Sequence, residues 1–373
     1  MSKLSYNQLL NLRLMLSVDG IGPGKIRNLL AEFHSIENAL AADYNSLLKA
    51  EGISSILAQR IVLQKKLKDE FAKTLQNELN ILERVKGRIV TVWDEDYPPI
   101  LKRIFDPPLL LYYKGNFEEN DNYSIAVVGT RQPTNYGKVQ AEKITAELSS
   151  QKITIVSGLA RGIDSIAHST ALKNGNRTIA VIGSGIDIIY PAENRRMFDA
   201  ISEKGLIISE FPPGTKPDAQ NFPKRNRLIS GLSLGTIVIE TAITGGAMQT
   251  AALSLDQNRE VFAVPGNLGS DKSEGTNLLI QKCSAKLIRS AEDVLVELDL
   301  KLKPILGKNI PKVQLDLNLF EEKILAALEN EAVQIDNIAT STNLSTADCL
   351  VQLLSLEFKG LVKQLPGKMF ARL

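Results

Sequence analysis

Short apolar segments alternate with helix-like segments over residues 124–296 of the 373-residue chain. The apolar segments lie at 124–128, 153–156, 178–182, 206–209, 236–239 and 261–264, and the helix-like segments include 137–148, 164–173 and 248–256. Brief apolar strands that alternate with helices predict a parallel sheet covered by helices on both faces. Such sheets bind ligands outside the carboxyl ends of their strands. The residues that follow the apolar segments are therefore the first candidates for a binding site.

Glycine and arginine follow several of these predicted strands. The candidates are Gly129, Thr130 and Arg131 after the first strand, Gly158 and Arg161 after the second, and Gly183 after the third. Glycine allows a backbone N–H group to come close to a phosphate, and the N-terminus of the following helix favours negative charge. One such turn is common between a strand and a helix, but several turns on one edge of a sheet predict an anion-binding edge.

The common nucleotide-binding motifs are absent from these turns. A P-loop does not fit, because Gly129 is too far from Gly137 and Lys138, and Val139 occupies the position of the Ser or Thr that would hold magnesium. A dinucleotide fingerprint does not fit either, because Ile188 occupies the position of its third glycine. We therefore expect neither ATP hydrolysis nor an NAD site, and we expect no cofactor and no metal ion.

Residues 222–233 combine an aromatic side chain with a dense cationic cluster. Phe222 is followed by Lys224, Arg225 and Arg227, and the segment lies between two predicted strands. Cations with a nearby aromatic ring suit a ligand that carries both phosphates and flat bases. The alternatives are a solvated charged loop, a core position for Phe222 beneath that loop, and an Arg227 that orients the turn by bonding Glu240 or backbone carbonyls.

Composition limits the partners and the location of the protein. The net charge is only +2, so a nucleic-acid surface would have to be local. The chain has no run of 18 apolar residues and a polar N-terminus, so we expect no membrane span and no signal peptide. Cys283 and Cys349 are too few for a disulfide framework or a thiolate zinc site, which suits the cytoplasm.

One histidine lies among the candidate turns. His168 follows Asp164 by four residues on a predicted helix, so the two side chains could pair as a general base. A structural role, in which His168 caps or packs the helix on the sheet, is the favoured interpretation.

The N-terminal part of the chain is predicted to be a helical domain over residues 1–90. Residues 18–26 look like the hairpin of a helix-hairpin-helix motif, whose turn would direct backbone N–H groups at a DNA phosphate beside Lys25 and Arg27. A degenerate second copy is possible at 51–61. The alternative is a helical interaction domain whose glycines only form turns. Residues 91–123 are predicted to form a connector and an edge strand.

The C-terminal part changes in character after residue 298. Residues 299–316 include a Lys-rich stretch with two prolines and are predicted to be a linker. Residues 317–373 resemble a winged helix, with Ser345 as the N-cap of its third helix. That helix carries Asp348 and Glu357 with only one Lys beside them, so it is poor in cations. We therefore favour a protein-contact or regulatory role over duplex recognition.

Ordered motifs along residues 124–290 resemble the DNA-processing protein A family, also called DprA or Smf. They lie at 128–131, 157–164, 183–191, 210–214, 222–233, 264–267 and 275–280. Two positions depart from the family pattern, which usually has Ser-Gly at Gly245-Gly246 and Gly-Ala at Cys283-Ser284. The resemblance implies an α/β fold in which an extended Rossmann-like sheet domain, 124–298, lies between an N-terminal helical (helix-hairpin-helix or SAM-like) domain and a C-terminal winged-helix domain.

The same resemblance implies a function and a set of contacts. It implies a non-hydrolytic, single-stranded DNA-binding protein of natural transformation and recombination, which protects incoming DNA and helps to load RecA onto it. The implied contacts to single-stranded DNA are Gly129, Thr130, Arg131, Gly158, Arg161, Gly183, Phe222, Lys224, Arg225 and Arg227. We expect Arg131 and Lys224 to contact phosphates and Phe222 to stack on a base.

The resemblance also implies a homodimer formed through the sheet domain. The candidate surface is the apolar set Leu278, Leu279, Ile280, Leu287 and Ile288, which lies near the end of that domain. The alternative is that these residues are ordinary core of the last strand and helix.

A second resemblance points to a different class of protein. The strand pattern is similar to that of the LOG-like nucleoside-monophosphate phosphoribohydrolases, in which Glu240 would be the catalytic acid and base beside Gly245-Gly246. Thr244 stands where that group has Pro, and Met248-Gln249 stands where it has Gly-Thr. We therefore keep the hydrolase as the alternative and expect the protein not to be an enzyme.

Overall fold

The computed structural model describes residues 4–299, 302, 317–328, 333–358, 361–365 and 367–372. The chain divides into two units, Met1–Leu306 and Gly307–Leu373. Most of the predicted linker at 299–316 lies outside the described residues.

A nine-stranded sheet forms the centre of the first unit. Its strands are β1 (Arg88–Thr91), β2 (Leu110–Gly115), β3 (Ile125–Val128), β4 (Ile155–Ser157), β5 (Thr178–Ile182), β6 (Leu206–Ser209), β7 (Gly235–Val238), β8 (Glu260–Ala263) and β9 (Lys286–Leu287). The order across the sheet is β1-β2-β6-β5-β4-β3-β7-β8-β9. Strands β3 to β9 pair in parallel, whereas β2 is antiparallel to both β1 and β6. The predicted Rossmann-like α/β class is confirmed.

The order of the strands reverses at β3. The chain moves from β3 through β4 and β5 to β6 on one side, and then returns to the other side of β3 with β7. The carboxyl ends of β3 and β7 are therefore neighbours from which the chain departs in opposite directions. In open α/β sheets this switch point forms a crevice.

Helices cover both faces of the sheet because its strands are apolar on both sides. The helices of the sheet region are α7 (Pro99–Lys102), α8 (Asn135–Ser150), α9 (Ile163–Lys173), α10 (Arg195–Lys204), α11 (Asn221–Gly231), α12 (Gly246–Asp256), α13 (Asp271–Gln281) and α14 (Ala291–Glu297). Ile144 of α8 and Ala167 of α9 are buried on one face, and Leu228 of α11 and Ala251 of α12 on the other. The two faces form separate cores, as continuous apolar strands require.

The N-terminal region is helical, as predicted. Its helices are α1 (Tyr6–Leu16), α2 (Pro23–Phe33), α3 (Ile36–Ala41), α4 (Tyr44–Leu47), α5 (Ser55–Lys65) and α6 (Lys68–Val85). A buried ion pair of 2.6 Å between Arg13 and Glu78 joins α1 to α6, and the hydroxyl of Tyr112 donates to Glu78. Because Tyr112 lies on β2, this network attaches the helices to the sheet.

The segment between the helices and β3 differs from the predicted connector and edge strand. It contributes β2 to the interior of the sheet, while β1 occupies the edge. The rings of Tyr97, Tyr112 and Tyr113 are buried, whereas Trp93 is exposed. Aromatic side chains therefore pack these two added strands against the parallel strands.

The second unit has the architecture of a winged helix, as predicted. Helices α15 (Leu319–Ala327), α16 (Ile335–Thr342) and α17 (Thr346–Phe358) pack with a sheet of β10 (Val333–Gln334), β12 (Met369–Arg372) and β11 (Val362–Leu365), in that order. The hydroxyl oxygen of Ser345 accepts the N–H of Asp348 at 3.1 Å, which caps α17. Within the described parts of both units, no helix combines the length and the apolar character needed to span a membrane.

Candidate nucleic-acid interface

The cationic cluster at residues 222–233 is a helix and not a loop. Helix α11 begins at Asn221 beside the carboxyl ends of the strands and runs back along the sheet to Gly231. Because successive residues of a helix point in different directions, only some side chains of the cluster face the crevice. Phe222 and Arg225 line the crevice, whereas Arg227 bonds to Glu210 and Lys224 is exposed to solvent.

A cleft of about 710 Å³ opens at the switch point between β3 and β7. Its walls are the turn after β3, helix α11, and the start of α12; the lining includes Gly129, Thr130, Arg131, Ala160, Asp164, Tyr190, Phe222, Arg225, Thr241, Gly245, Gly246 and Lys272. A smaller cavity adjoins it, lined by Gly158, Arg161, Gly183, Tyr190 and Pro191 together with Arg131, Phe222 and Arg225. The two cavities thus lie at one edge of the sheet, where they bring together residues from all three predicted glycine turns and from the start of α11.

Eight of these ten residues line the two cavities, Lys224 lies on the exposed side of the first turn of α11, and Arg227 is the tenth. The guanidinium of Arg227 donates two hydrogen bonds of 2.5 Å to the carboxylate of Glu210 and one of 2.6 Å to the carbonyl of Asp106. The alternative for Arg227 was that it bonds Glu240 or backbone carbonyls instead of DNA. Arg227 does bond a backbone carbonyl, but the carboxylate that it bonds is Glu210 and not Glu240.

An aromatic surface forms one side of the cleft. The ring of Phe222 is half-buried and lies 5.7 Å from the ring of Tyr190, measured between centroids. The guanidinium carbon of Arg131 lies 5.6 Å from the centroid of Phe222, on an exposed side chain. Phe222 is thus not a core residue beneath a loop. An exposed cation and two accessible rings are placed where a base and its phosphate could bind together.

Arg225 supplies positive charge from beneath the cleft. The residue is 4 % exposed, and its Nη1 donates to the carbonyls of Gly158, at 2.5 Å, and Val181. Burial lowers the pKa of Arg225 to about 10, so the guanidinium remains charged at neutral pH. Its Nε has no hydrogen-bond partner among the described residues. A fixed cation with an unused donor therefore lies in the wall of the cleft.

Two carboxylates of the chain already occupy backbone N–H groups beside the cleft, one in the turn after β4 and one at the start of α8. Oδ2 of Asp164 accepts the N–H groups of Gly158, at 3.1 Å, and Ala160, at 3.3 Å. The carboxylate of Glu240 accepts the N–H of Thr134 at 2.9 Å and its hydroxyl at 2.5 Å, at the N-terminus of α8. The N–H group of Gly158 is therefore not free for a phosphate, in contrast to the expectation for this turn.

The N-terminus of α12 lies open at the cleft instead. Gly245, Gly246 and Ala247 line the cleft, and no side chain caps this helix. Lys272 also lines the cleft. Sequence reasoning did not select these residues or Tyr190 as contacts, although the Gly-Gly pair after the strand at 236–239 and the position of Tyr190 after the third turn were available signals.

Glycine is required at Gly183 and Gly129 by close packing within the site. A Cβ atom on Gly183 would lie 2.9 Å from Cδ1 of Phe222 and would displace the ring. A Cβ atom on Gly129 would lie 2.6 Å from Cγ1 of Ile163, at the start of α9. Both glycines therefore shape the cleft by permitting neighbouring elements to approach.

Arg161 lies at the rim and is exposed. Its guanidinium forms an ion pair with Glu193, with Nη2 to Oε2 at 3.2 Å and a closer contact through Nε. A phosphate that binds Arg161 would have to compete with this carboxylate, which distinguishes Arg161 from Arg131.

His168 has a structural position. It is fully buried, and its Nδ1 lies 2.7 Å from the hydroxyl of Thr178. Burial lowers the pKa of His168 to about 3, with a smaller contribution from Arg225. Because Asp164 bonds to the turn at Gly158, the two side chains do not have the geometry of a general-base pair.

The predicted dimer surface is divided by the fold. Leu279 and Ile288 are buried in the two cores of the sheet domain. Leu287 is 42 % exposed on β9, which is the last strand of the sheet, and Leu278 and Ile280 on α13 are half-buried. Leu279 and Ile288 are therefore core residues, as the alternative proposed. The prediction of a dimer surface remains for Leu278, Ile280 and Leu287.

The third helix of the winged-helix unit presents an apolar surface. Leu350, Val351 and Leu354 of α17 are 53 %, 64 % and 54 % exposed. The sequence of α17 contains no lysine or arginine. Helices that enter the major groove depend on cations for phosphate contacts, so α17 lacks the chemistry of a duplex-reading helix.

The fold and the site define a three-part protein: a tandem helix-hairpin-helix region, a Rossmann-like domain with a cationic and aromatic cleft, and a winged helix. The chain matches the family described as DNA recombination-mediator protein A over residues 88–299. It also matches the SAM-like helix-hairpin-helix tandem over 12–66 and the DprA winged helix domain over 313–368. The chain belongs to the DprA/Smf family.

Individual relatives support this membership along the chain. Protein Smf of Synechocystis is 34% identical over 95% of this chain and 96% of its own length. DNA processing protein DprA of Bacillus subtilis is 41% identical over 64% of this chain and 84% of its own.

Two solved structures resemble the fold. The X-ray structure of DprA from Streptococcus pneumoniae has a TM-score of 0.63 at 34% identity, covering 79% of this chain and 98% of that one. A structure described as showing the single-stranded DNA binding mode of DprA from Helicobacter pylori has a TM-score of 0.53 at 31% identity, covering 58% and 97%.

Proposed function

We propose that the protein binds single-stranded DNA in the cleft at the switch point, as part of DNA processing in natural transformation and recombination. The observation that carries the proposal is the arrangement of Phe222, Tyr190 and Arg131 above the buried cation Arg225. Aromatic rings stack on unpaired bases of any sequence, and cations beside them bind the phosphates. The membership in the DprA/Smf family and the described DNA-binding mode of the Helicobacter pylori relative support the same ligand.

The contact residues take different roles in this proposal. Phe222 and Tyr190 stack on bases, and Arg131 binds a phosphate. Lys224 and Arg161 extend the positive surface at the rim. Gly129, Thr130, Gly158 and Gly183 shape the walls, while Arg225 holds positive charge beneath the strand and Arg227 holds α11 to Glu210.

Binding is tested by titrating labelled oligonucleotides at two salt concentrations. The affinity of the full chain for a single strand is compared with its affinity for a duplex of equal length. We expect the single strand to bind more tightly, with an affinity that falls as salt rises. Equal affinity for both forms would contradict a site built on unpaired bases.

We propose that binding is not coupled to hydrolysis. In the alternative phosphoribohydrolase, Glu240 would act on the substrate, but its carboxylate is buried and bonded to Thr134 at the start of α8. Incubation with each nucleoside monophosphate, followed by chromatography for the free base, distinguishes the two functions. Release of base that is lost in Glu240→Gln would establish the hydrolase instead.

We propose a homodimer formed through the sheet domain, as the family resemblance implies, and we place its interface at the β9 edge. The exposed Leu287 and the half-buried Leu278 and Ile280 support this surface. Leu287→Glu should give a folded monomer by light scattering, because a charge introduced at a two-fold interface appears twice. Leu279→Glu should instead lower the melting temperature, because Leu279 is core. A Leu287→Glu variant that remains dimeric would place the interface elsewhere.

We also propose, from the resemblance, that the protein protects the bound strand and helps to load RecA onto it. Assembly of RecA on a single strand, followed with and without this protein, tests the role. A rate that the protein leaves unchanged or lowers would contradict it.

A further inference from the structure

A second cationic groove lies on the far side of the loop that borders the cleft. It has a volume of about 360 Å³ and lies between the end of α6, strand β2 and the start of α10. Its charged lining residues are Arg84, Lys86, Lys114, Arg195, Asp187 and Asp199. None of the ten predicted contact residues lines this groove.

The groove has a net positive charge, because its lining includes four cations and two carboxylates. Within the described residues, none of the four cations forms an ion pair. Of the two carboxylates, Asp187 accepts the N–H of Gly214 at 2.9 Å and is held by that bond. Arg84, Lys86 and Arg195 are exposed, so they can reach a ligand without breaking an existing contact with a carboxylate.

The groove offers cations but no open aromatic surface. Phe198 is its one aromatic lining residue; it is 3 % exposed, and Nζ of Lys114 lies 5.6 Å from its centroid. A base has no accessible ring on which to stack here. The chemistry of the groove therefore fits phosphates rather than bases.

A thin wall separates the groove from the cleft. Gly183, Ser184, Tyr190 and Pro191 line the cavity on the cleft side, whereas Ile186, Asp187 and Ile189 line the groove. Because Ile189 and Tyr190 are consecutive, the two sites are lined by neighbouring residues of one segment of chain, 183–191.

We propose that this groove binds the backbone phosphates of single-stranded DNA where the strand continues beyond Tyr190. The inference rests on the proposed function, because it extends the path of a strand already held in the cleft. It predicts two parts of the path with different chemistry: bases and phosphates are bound in the cleft, and phosphates alone in the groove. The N-terminal helices contribute to DNA binding in this way through α6, which carries Arg84 and ends beside Lys86.

The test compares two strand lengths with charge-matched variants of the full chain. The groove variant is Arg84→Gln with Arg195→Gln. The control is Lys173→Gln with Lys204→Gln, two exposed cations at the ends of α9 and α10, on the opposite edge of the sheet. Oligothymidylates of about 6 and about 20 nucleotides serve as probes, since single-strand sites span several nucleotides.

On the long strand, the salt slope of the groove variant should fall by about 1.4, because each lost phosphate contact on a single strand lowers it by about 0.7. On the short strand, both double variants should match the unmodified chain. Asp199→Asn should tighten binding of the long strand, because it removes a carboxylate from the groove.

An unchanged slope on the long strand would overturn the groove as a DNA site. So would an equal loss on both lengths, because the groove residues would then act on the cleft itself. If the unmodified chain binds neither strand, the proposed function fails and the groove with it. If the unmodified chain binds both strands and the groove variant binds them equally well, only the groove is ruled out as a DNA site, and the proposed function stands.

Discussion

The cleft and the third helix of the winged-helix unit both occupy positions at which proteins commonly contact DNA, but their side chains differ. The cleft has Arg131 and the buried Arg225 beside the ring of Phe222. Helix α17 has no cation and exposes Leu350, Val351 and Leu354. The architecture places a surface, whereas the side chains on it determine the ligand.

The same comparison separates two kinds of exposed apolar side chain. Phe222 and Tyr190 lie next to fixed positive charge, which suits a ligand with both bases and phosphates. The leucines of α17 lie in a helix whose only charged residues are Asp348 and Glu357. We therefore expect DNA affinity to depend on the first unit.

The largest effect should come from the aromatic surface. Phe222→Ala should weaken single-stranded DNA binding by about 1–3 kcal/mol, or roughly 5- to 150-fold, because it removes a stacked base. The salt slope should not change, since stacking releases no counterions. Phe320→Ala, a matched change of an exposed phenylalanine in the winged helix, is the control and should leave affinity unchanged. Equal losses in the two variants would remove the distinction between the units.

Acid should destabilise the first unit through His168. Burial lowers its folded pKa from 6.5 to about 3, so below pH 6.5 the unfolded chain binds a proton that the folded chain does not. The free energy of unfolding should therefore fall as pH decreases from 6.5 towards 3, by about 2 kcal/mol at pH 5 from this residue. His168→Gln should reduce this loss, measured by denaturant titration at pH 7.5 and pH 5.

His34→Gln is the matched control, because His34 is exposed and is the other histidine of the chain. The two variants should differ in how stability depends on pH. The same pH dependence in both would show that burial of His168 is not the cause.

Single cations should have smaller and more specific effects. Arg131→Ala and Lys224→Ala should each lower the salt slope for single-stranded DNA by about 0.7, the contribution of one phosphate. Lys363→Ala, in the wing of the second unit, should leave the slope unchanged. A drop in slope for Lys363→Ala equal to that for Arg131→Ala would assign phosphate contacts to the wing as well.

Removal of the second unit should have the smallest effect on DNA binding. A chain that ends at residue 306, the last residue of the first unit, should fold, because it keeps the buried Leu302 and because the winged helix has its own core around Ile324, Ile338 and Leu353. It should retain most of its affinity for a single strand. Loss of nearly all binding by a folded chain of this length would reverse the comparison between the units.

Local patterns predicted most of the elements and the location of the site. The predicted strands at 178–182 and 206–209 are β5 and β6 with the same bounds, and the others lie within one or two residues of the observed ends. Strand and helix patterns repeat every few residues, so they can be identified from adjacent positions alone. The cluster of one aromatic residue and three cations at 222–227 also consists of adjacent positions, so the sequence alone predicted a site there.

The partners of the site residues depended on contacts between distant parts of the chain. Arg225 bonds to Gly158, 67 residues away, and Thr134 bonds to Glu240, 106 residues away. Asp164 is only six residues from Gly158, but its hydrogen bond to the N–H group of Gly158 depends on how the turn folds and not on the residue pattern. The division of Leu279 and Leu287 between core and edge likewise followed from the position of β9.

The sequence by itself determined the order of strands and helices, the family, and the edge of the sheet at which the candidate site lies, because each follows from local periodicity and motif spacing. The tertiary structure alone decided which donors and cations remain available at that edge. Burial and hydrogen bonds to other groups of the chain hold Asp164, Glu240 and Arg227 within the protein, while Arg131 and the start of α12 remain open at the cleft.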